Sequence, residues 1–145
     1  MLWAVVLSAN LAGALAIAWV LGNTGAFPPE VRSAFAEIGR QSLGVSFTTV
    51  MLRGIFAGWL IASLVWMLPF VETARFFLIV AITWVIGIGG FSHVVAGAVD
   101  VFFLVTTGAA SWGAAVGGYL LPTLLGNILG GVALVAVLNH AQVIS

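Results

Sequence analysis

Cysteine is missing from all 145 residues, which excludes disulfides and thiolate metal sites. Lysine is missing too, and the four basic side chains are Arg32, Arg40, Arg53 and Arg75. Charge of either sign is scarce. Only 6% of the residues are charged, against about 25% in soluble domains, so there is neither a large soluble domain nor a basic face for nucleic acid. The net charge of zero says nothing about the charge of a solute. The two histidines and four acids form no metal cluster and no nucleophile–base pair, so neither an enzyme reading nor a cofactor has support. No positive region precedes the first apolar run, which at about 20 residues can span a bilayer, so it does not read as a signal peptide. What the chain has in quantity is apolar side chains, 63% of it. They predict an all-α protein, a single transmembrane domain over residues 1–145, with membrane lipid as its solvent.

Four membrane segments are expected. The first, residues 2–21, is uncharged and carries Trp3 and Trp19 near its ends, where interfacial tryptophans belong. A connection over residues 23–43 follows. Its stretch 30–41 holds Glu30, Arg32, Glu37 and Arg40, half of all the charges. With Val31, Phe35 and Ile38 at i, i+4 and i+7 it reads either as an amphipathic helix lying in the interface or as a polar loop. The second segment, residues 47–68, ends at Pro69. Arg53 lies about 9 Å along it, close enough to an end to snorkel to the headgroups, and Gly54 and Gly58 offer a small packing face. Residues 106–118 are small and uncharged, and the last segment is expected at residues 119–138, with Pro122 near its start. His140 lies beyond it in a polar exit over residues 139–142.

The third segment, residues 76–105, is the unusual one. As a single helix it would run about 45 Å, longer than a hydrocarbon core of about 30 Å. Gly87, Gly89 and Gly90 interrupt it, Phe91 and Ser92 follow, and His93 comes directly after them. The segment therefore predicts two half-helices with a break at 87–92, buried in protein, because lipid offers no hydrogen bonds to non-helical backbone. An ionisable group at that depth is a functional residue by default. The competing reading is a histidine satisfied by a backbone carbonyl at the break. Asp100 follows His93 by seven residues, with Gly97 between, on one face of a regular helix. It reads equally as a vestibule acid or as the partner of an arginine on a neighbouring helix.

An internal repeat completes the pattern. Ser8-Ala9-Asn10-Leu11-Ala12-Gly13-Ala14 in the first segment matches Leu125-Gly126-Asn127-Ile128-Leu129-Gly130-Gly131 in the last. Transporters are commonly built from such repeats. Asn10 and Asn127 read as packing residues that satisfy backbone beside broken helices.

Three stretches carry a resemblance to a known family. They are Gly58-Trp59-Leu60-Ile61-Ala62-Ser63-Leu64-Val65-Trp66-Met67, Gly90-Phe91-Ser92-His93, and Leu121-Pro122-Thr123-Leu124-Leu125-Gly126-Asn127-Ile128-Leu129-Gly130-Gly131. In order and spacing the sequence resembles the second half of a formate/nitrite transporter, from the third helix to the end. The resemblance implies an aquaporin-like inverted repeat of six helices with the second and fifth broken, assembled as a pentamer with one pore per protomer. It also implies that His93 faces the pore between two apolar constrictions, with Ile86 and Phe91 beside one of them. Four family positions differ: Ser92 stands for an acid, Ser42 lies near a pore-side lysine, and Gly58 and Gly97 replace asparagines. This is the pattern of an outlying branch.

The function expected is a channel or transporter in the inner or plasma membrane. It would move a small monovalent anion, or its protonated acid, with or without a proton. His93 would share a proton with the anion so that it crosses the apolar constriction neutral. The pore residues are His93, Phe91, Ser92, Ile86, Gly97 and Asp100, and the structural ones Gly87, Gly89, Gly90, Asn10, Asn127 and Pro122. The alternatives are a pore for small neutral solutes and a non-conducting structural or truncated membrane protein.

Overall fold

The computed structural model describes residues 2–144, and among them every regular element is a helix. In chain order these are α1 (Leu2–Asn23), α2 (Pro29–Leu43), α3 (Phe47–Met67) closed by a 3-10 turn at Leu68–Phe70, α4 (Arg75–Ile88), α5 (Val94–Thr106), α6 (Trp112–Ala115), a π turn at Val116–Leu120, and α7 (Leu121–Ile144). Leu2–Asn23, Phe47–Phe70 and Trp112–Leu134 are each long and apolar enough to cross a bilayer. The third segment in chain order is the pair of shorter apolar helices α4 and α5, so it is broken as its glycines predict.

Three boundaries differ from the expectation, each for a local reason. The non-helical stretch is residues 89–93, not 87–92, because Gly87 and Ile88 still belong to the last turn of α4. The last segment begins at Trp112, seven residues before the expected start. Ser111 caps it there, its Oγ accepting the Ala114 N–H at 3.1 Å. Helix then continues through Pro122, because the widened π turn before it relieves the clash between a proline ring and the carbonyl four residues back. The connection at 23–43 is a helix from Pro29 onward, with proline in its first turn where a missing N–H is harmless. In the polar exit, His140 is helical and exposed, while the side chains of Asn139, Ala141 and Gln142 lie outside the described residues.

The chain groups into two compact units. The first joins Met1–Phe47 to Val94–Leu121. Its centre is α5, where Val94, Gly97, Ala98, Val101, Phe102, Phe103 and Leu104 are buried, and α1 and α2 pack on it. The buried residues of α1 are Ala14, Ala18 and Gly22, a small residue every fourth position, which lets two helix backbones approach closely. Phe35 of α2 sits edge-on between Phe27 (5.7 Å) and Phe103 (5.9 Å). Arg32 of α2 donates to the carbonyl of Gly22, satisfying an acceptor that the end of α1 leaves open. The Arg40–Glu37 pair at 3.2 Å is well exposed and adds little to stability.

The second unit joins Thr48–His93 to Pro122–Ser145. Here α3 and α7 meet through glycines. A Cβ on Gly126 would overlap the Met51 carbonyl and come within 2.9 Å of the Gly54 Cα. One on Gly130 would overlap the Ile55 carbonyl. The α4 helix has no buried residue, and Phe76, Phe77, Ile79, Val80 and Trp84 along it are exposed apolar surface of the kind lipid covers.

Candidate functional site

The break is built from the end of α4 outward. Gly90 takes a positive φ of 59°, a left-handed conformation that glycine adopts without Cβ strain. Its N–H donates to the Gly87 carbonyl at 3.2 Å, and the Phe91 N–H reaches back to the Ile86 carbonyl at 3.0 Å. These two bonds around a left-handed glycine form a Schellman C-cap, which terminates α4 while satisfying its last carbonyls. Phe91, Ser92 and His93 then run without helix until α5 starts at Val94.

Backbone that leaves the helix at membrane depth needs a partner from elsewhere in the protein. Asn127 of α7 supplies it. Its Nδ2 donates to the Ser92 carbonyl at 2.9 Å and to the Gly54 carbonyl of α3 at 2.9 Å. One amide thus ties the break and α3 to α7. The glycines make the reach feasible, since a Cβ on Gly58 would overlap the backbone of Asn127, and one on Gly54 would lie 3.4 Å from its Nδ2. Pro122 and Thr123 are fully buried on α7 about one turn earlier, and the Thr123 Oγ1 has no hydrogen-bond partner among the described residues.

The aromatic ring at the break is equally well placed. Phe91 stacks on Phe56 of α3 with centroids 5.3 Å apart and planes 25° from parallel. Its other neighbour is Gly89, where a Cβ would lie 2.6 Å from the ring. Ser92 is buried, and Ile86, Phe91 and His93 are half-buried. Gly87, Gly89 and Gly90 are exposed in the single chain, so the expectation that protein buries the whole break holds for Ser92 and in part for Phe91, not for the glycines.

Ile86, Phe91, Ser92, His93 and Asn127 therefore fall in one unit, while Gly97 and Asp100 fall in the other. Gly97 is buried beneath Tyr119, whose hydroxyl occupies the space a Cβ would take. Asp100 is half-buried on α5 and makes no hydrogen bond or ion pair among the described residues, and its backbone carbonyl lies against Gly39 of α2. No arginine among the described residues pairs with it. Asn10 donates to the Val6 carbonyl of its own helix at 2.9 Å and is exposed. Sequence reasoning missed Phe56 and Tyr119. Nothing local marks Phe56, whereas Tyr119 is the only tyrosine of the chain and could have drawn notice.

A model of the formate/nitrite transporter family matches residues 1–141. The chain belongs to that family. Among curated relatives of this formate/nitrite transporter family member is the Inner membrane protein YfdC of Escherichia coli K12, 37% identical over 142 residues. The match covers 98% of this chain and 46% of that protein. The Uncharacterized transporter YrhG of Bacillus subtilis 168 is 28% identical over 148 residues, covering 94% of this chain and 52% of that one. The chain thus spans about half the length of the curated relatives it matches. No solved structure matches it. The motifs at residues 58–67, 90–93 and 121–131 all lie within the matched region, and membership makes this an all-α membrane protein of the formate/nitrite transporter fold.

Proposed function

We propose that this chain carries the histidine-bearing part of a transport pathway for a small monovalent anion of the formate or nitrite kind, or its protonated acid. The observation that carries the reading is the break itself. Its backbone is closed by a Schellman cap on one side and by Asn127 on the other, immediately before an imidazole. A helix interruption whose cap and Ser92 carbonyl are hydrogen-bonded within the protein, with a titratable group next to it, fits a site in a broken-helix transporter. His93 shares a proton with the entering anion, and Phe91 with Ile86 forms an apolar constriction that the neutralised solute passes. The α5 helix starts directly after His93, and the positive end of its dipole favours an anion there.

Family membership and the inner-membrane name of the Escherichia coli relative support placement in the inner or plasma membrane. The exposed glycines of the break, which lipid cannot hydrogen-bond, support its burial by further protein, and resemblance to the family makes that a ring of five copies. Cross-linking in mild detergent should give a ladder ending at five, and a clean monomer would count against this.

One observation favours a pore for small neutral solutes. Gly58, where the family carries an asparagine, lies against the backbone of Asn127, so it presents no polar side chain to a solute. A single assay separates the readings. The protein expressed from its intact gene is reconstituted in liposomes, and flux of formate, nitrite and a neutral solute is followed between pH 5 and 8. His93→Phe keeps the volume and removes the proton carrier. Formate flux should fall to background, or lose its pH dependence, with assembly unchanged. Wild-type flux and pH profile in the mutant would assign His93 a structural role only, and flux of the neutral solute alone would favour the second reading.

A further inference from the structure

We propose that Phe56 of α3 is a positioning residue that sets the aperture at Phe91 and thereby the size of solute admitted. The inference rests on the reading of Phe91 as a constriction and goes beyond it, because Phe56 lies 35 positions away in sequence and belongs to a different helix.

Three contacts determine where the Phe91 ring stands. Its backbone is pinned by the N–H bond to the Ile86 carbonyl at 3.0 Å, directly after the left-handed Gly90. One side of the ring lies against Gly89, where a Cβ would come within 2.6, 2.8 and 2.9 Å of three ring carbons. Phe56 stacks on the ring at 5.3 Å and 25°. An aromatic side chain in a short non-helical segment would otherwise have a choice of χ1 rotamers. Glycine at 89 opens the space for the observed one, and the offset stack makes it the favoured one.

The position of Phe56 on its own helix fits this role. Gly54 and Gly58 flank it at two residues on either side, about 200° round the helix, and face α7 through their contacts with Gly126 and Asn127. Phe56 is therefore turned away from the α3–α7 contact and remains 49% exposed in the chain. Its stack on Phe91 is not a by-product of that helix pair. The α3–α7 contact fixes where α3 stands, and Phe56 passes that position on to the ring.

The test is the ratio of flux of a larger monocarboxylate, lactate, to that of formate, in liposomes containing the protein expressed from its intact gene. Phe56→Leu keeps apolar volume and removes the stack, and should raise the lactate-to-formate ratio about two- to tenfold. Phe56→Tyr keeps the ring and should restore the wild-type ratio. Gly89→Ala places a methyl group against the ring and should move the ratio in a direction that Phe56→Leu does not. A uniform loss of both fluxes in Phe56→Leu at an unchanged ratio would overturn the proposal and leave Phe56 as packing alone. Phe91→Ala separates the two levels. If it leaves the ratio unchanged, the constriction reading itself fails; if it raises the ratio while Phe56→Leu does not, only the role of Phe56 falls.

Discussion

α1 and α7 carry the same motif and use it differently. In α7, Asn127 leaves its own helix and joins two carbonyls on other elements, while Gly126 and Gly130 admit the backbone of α3. In α1, Asn10 bonds back to Val6 four residues earlier, and Gly13 has nothing within 4 Å of where its Cβ would be. The close packing of α1 comes from another stripe, Ala14, Ala18 and Gly22, against α5. A polar residue in an apolar helix has two ways to satisfy its donors. It can turn to the carbonyl one turn back, or to a carbonyl that some other element has left free. The motif permits either, and the neighbour decides.

The largest expected contrast is between the glycines. Gly130→Leu should destabilise by about 3 kcal/mol or more, because the side chain must displace the backbone of α3. Gly13→Leu meets open space and should gain up to about 1 kcal/mol of helix propensity. Unfolding in mixed detergent micelles measures both, and equal effects would break the distinction between the helices. The asparagines come next. Asn127→Leu leaves the Ser92 and Gly54 carbonyls without their second-helix donor, at about 1–3 kcal/mol for a buried acceptor, whereas Asn10→Leu should stay within about 0.5 kcal/mol. Protease nicking between α4 and α5 should rise in the first mutant alone. The last effect is smaller than the loss expected at Gly130 and, like that of Gly13→Leu, stabilising. Thr123 is about one turn before Asn127, as Val6 is before Asn10, and its buried Oγ1 has no partner among the described residues. Thr123→Val should stabilise by about 1 kcal/mol, since it removes a desolvated hydroxyl and keeps the shape. A loss of stability instead would show that the hydroxyl holds a partner within the assembled protein.

The sequence is legible wherever a local rule decides. Apolar runs locate the membrane helices, and the glycines at 87–90 locate the interruption, because glycine and hydropathy act within a few residues. α4 ends two residues beyond the expected place for the same kind of reason: a Schellman cap needs its left-handed glycine after the last turn, and Gly90, not Gly87, takes that place. The last helix starts seven residues before its apolar run suggests, because Ser111 acts as a cap only once the small residues after it are helical. The contacts that make the site depend on separations no local rule sees. Asn127 finds Ser92 across 35 positions, Phe56 finds Phe91, and Tyr119 fills the space over Gly97, which the sequence alone presents as a pore position.

The bond from Asn127 to Gly54 spans 73 positions of chain. During synthesis at about 5–20 residues per second, α3 is complete roughly 4–15 s before the helix that fills its glycine groove exists. Through that interval α3 must persist as an independent helix in lipid, with its groove open to acyl chains or to the translocation machinery. The close α3–α7 contact, and with it the closure of the break at Ser92, is thus a late event in biogenesis. A ribosome stalled before α7 emerges should leave α4 and α5 inserted but the carbonyl between them waiting for its amide.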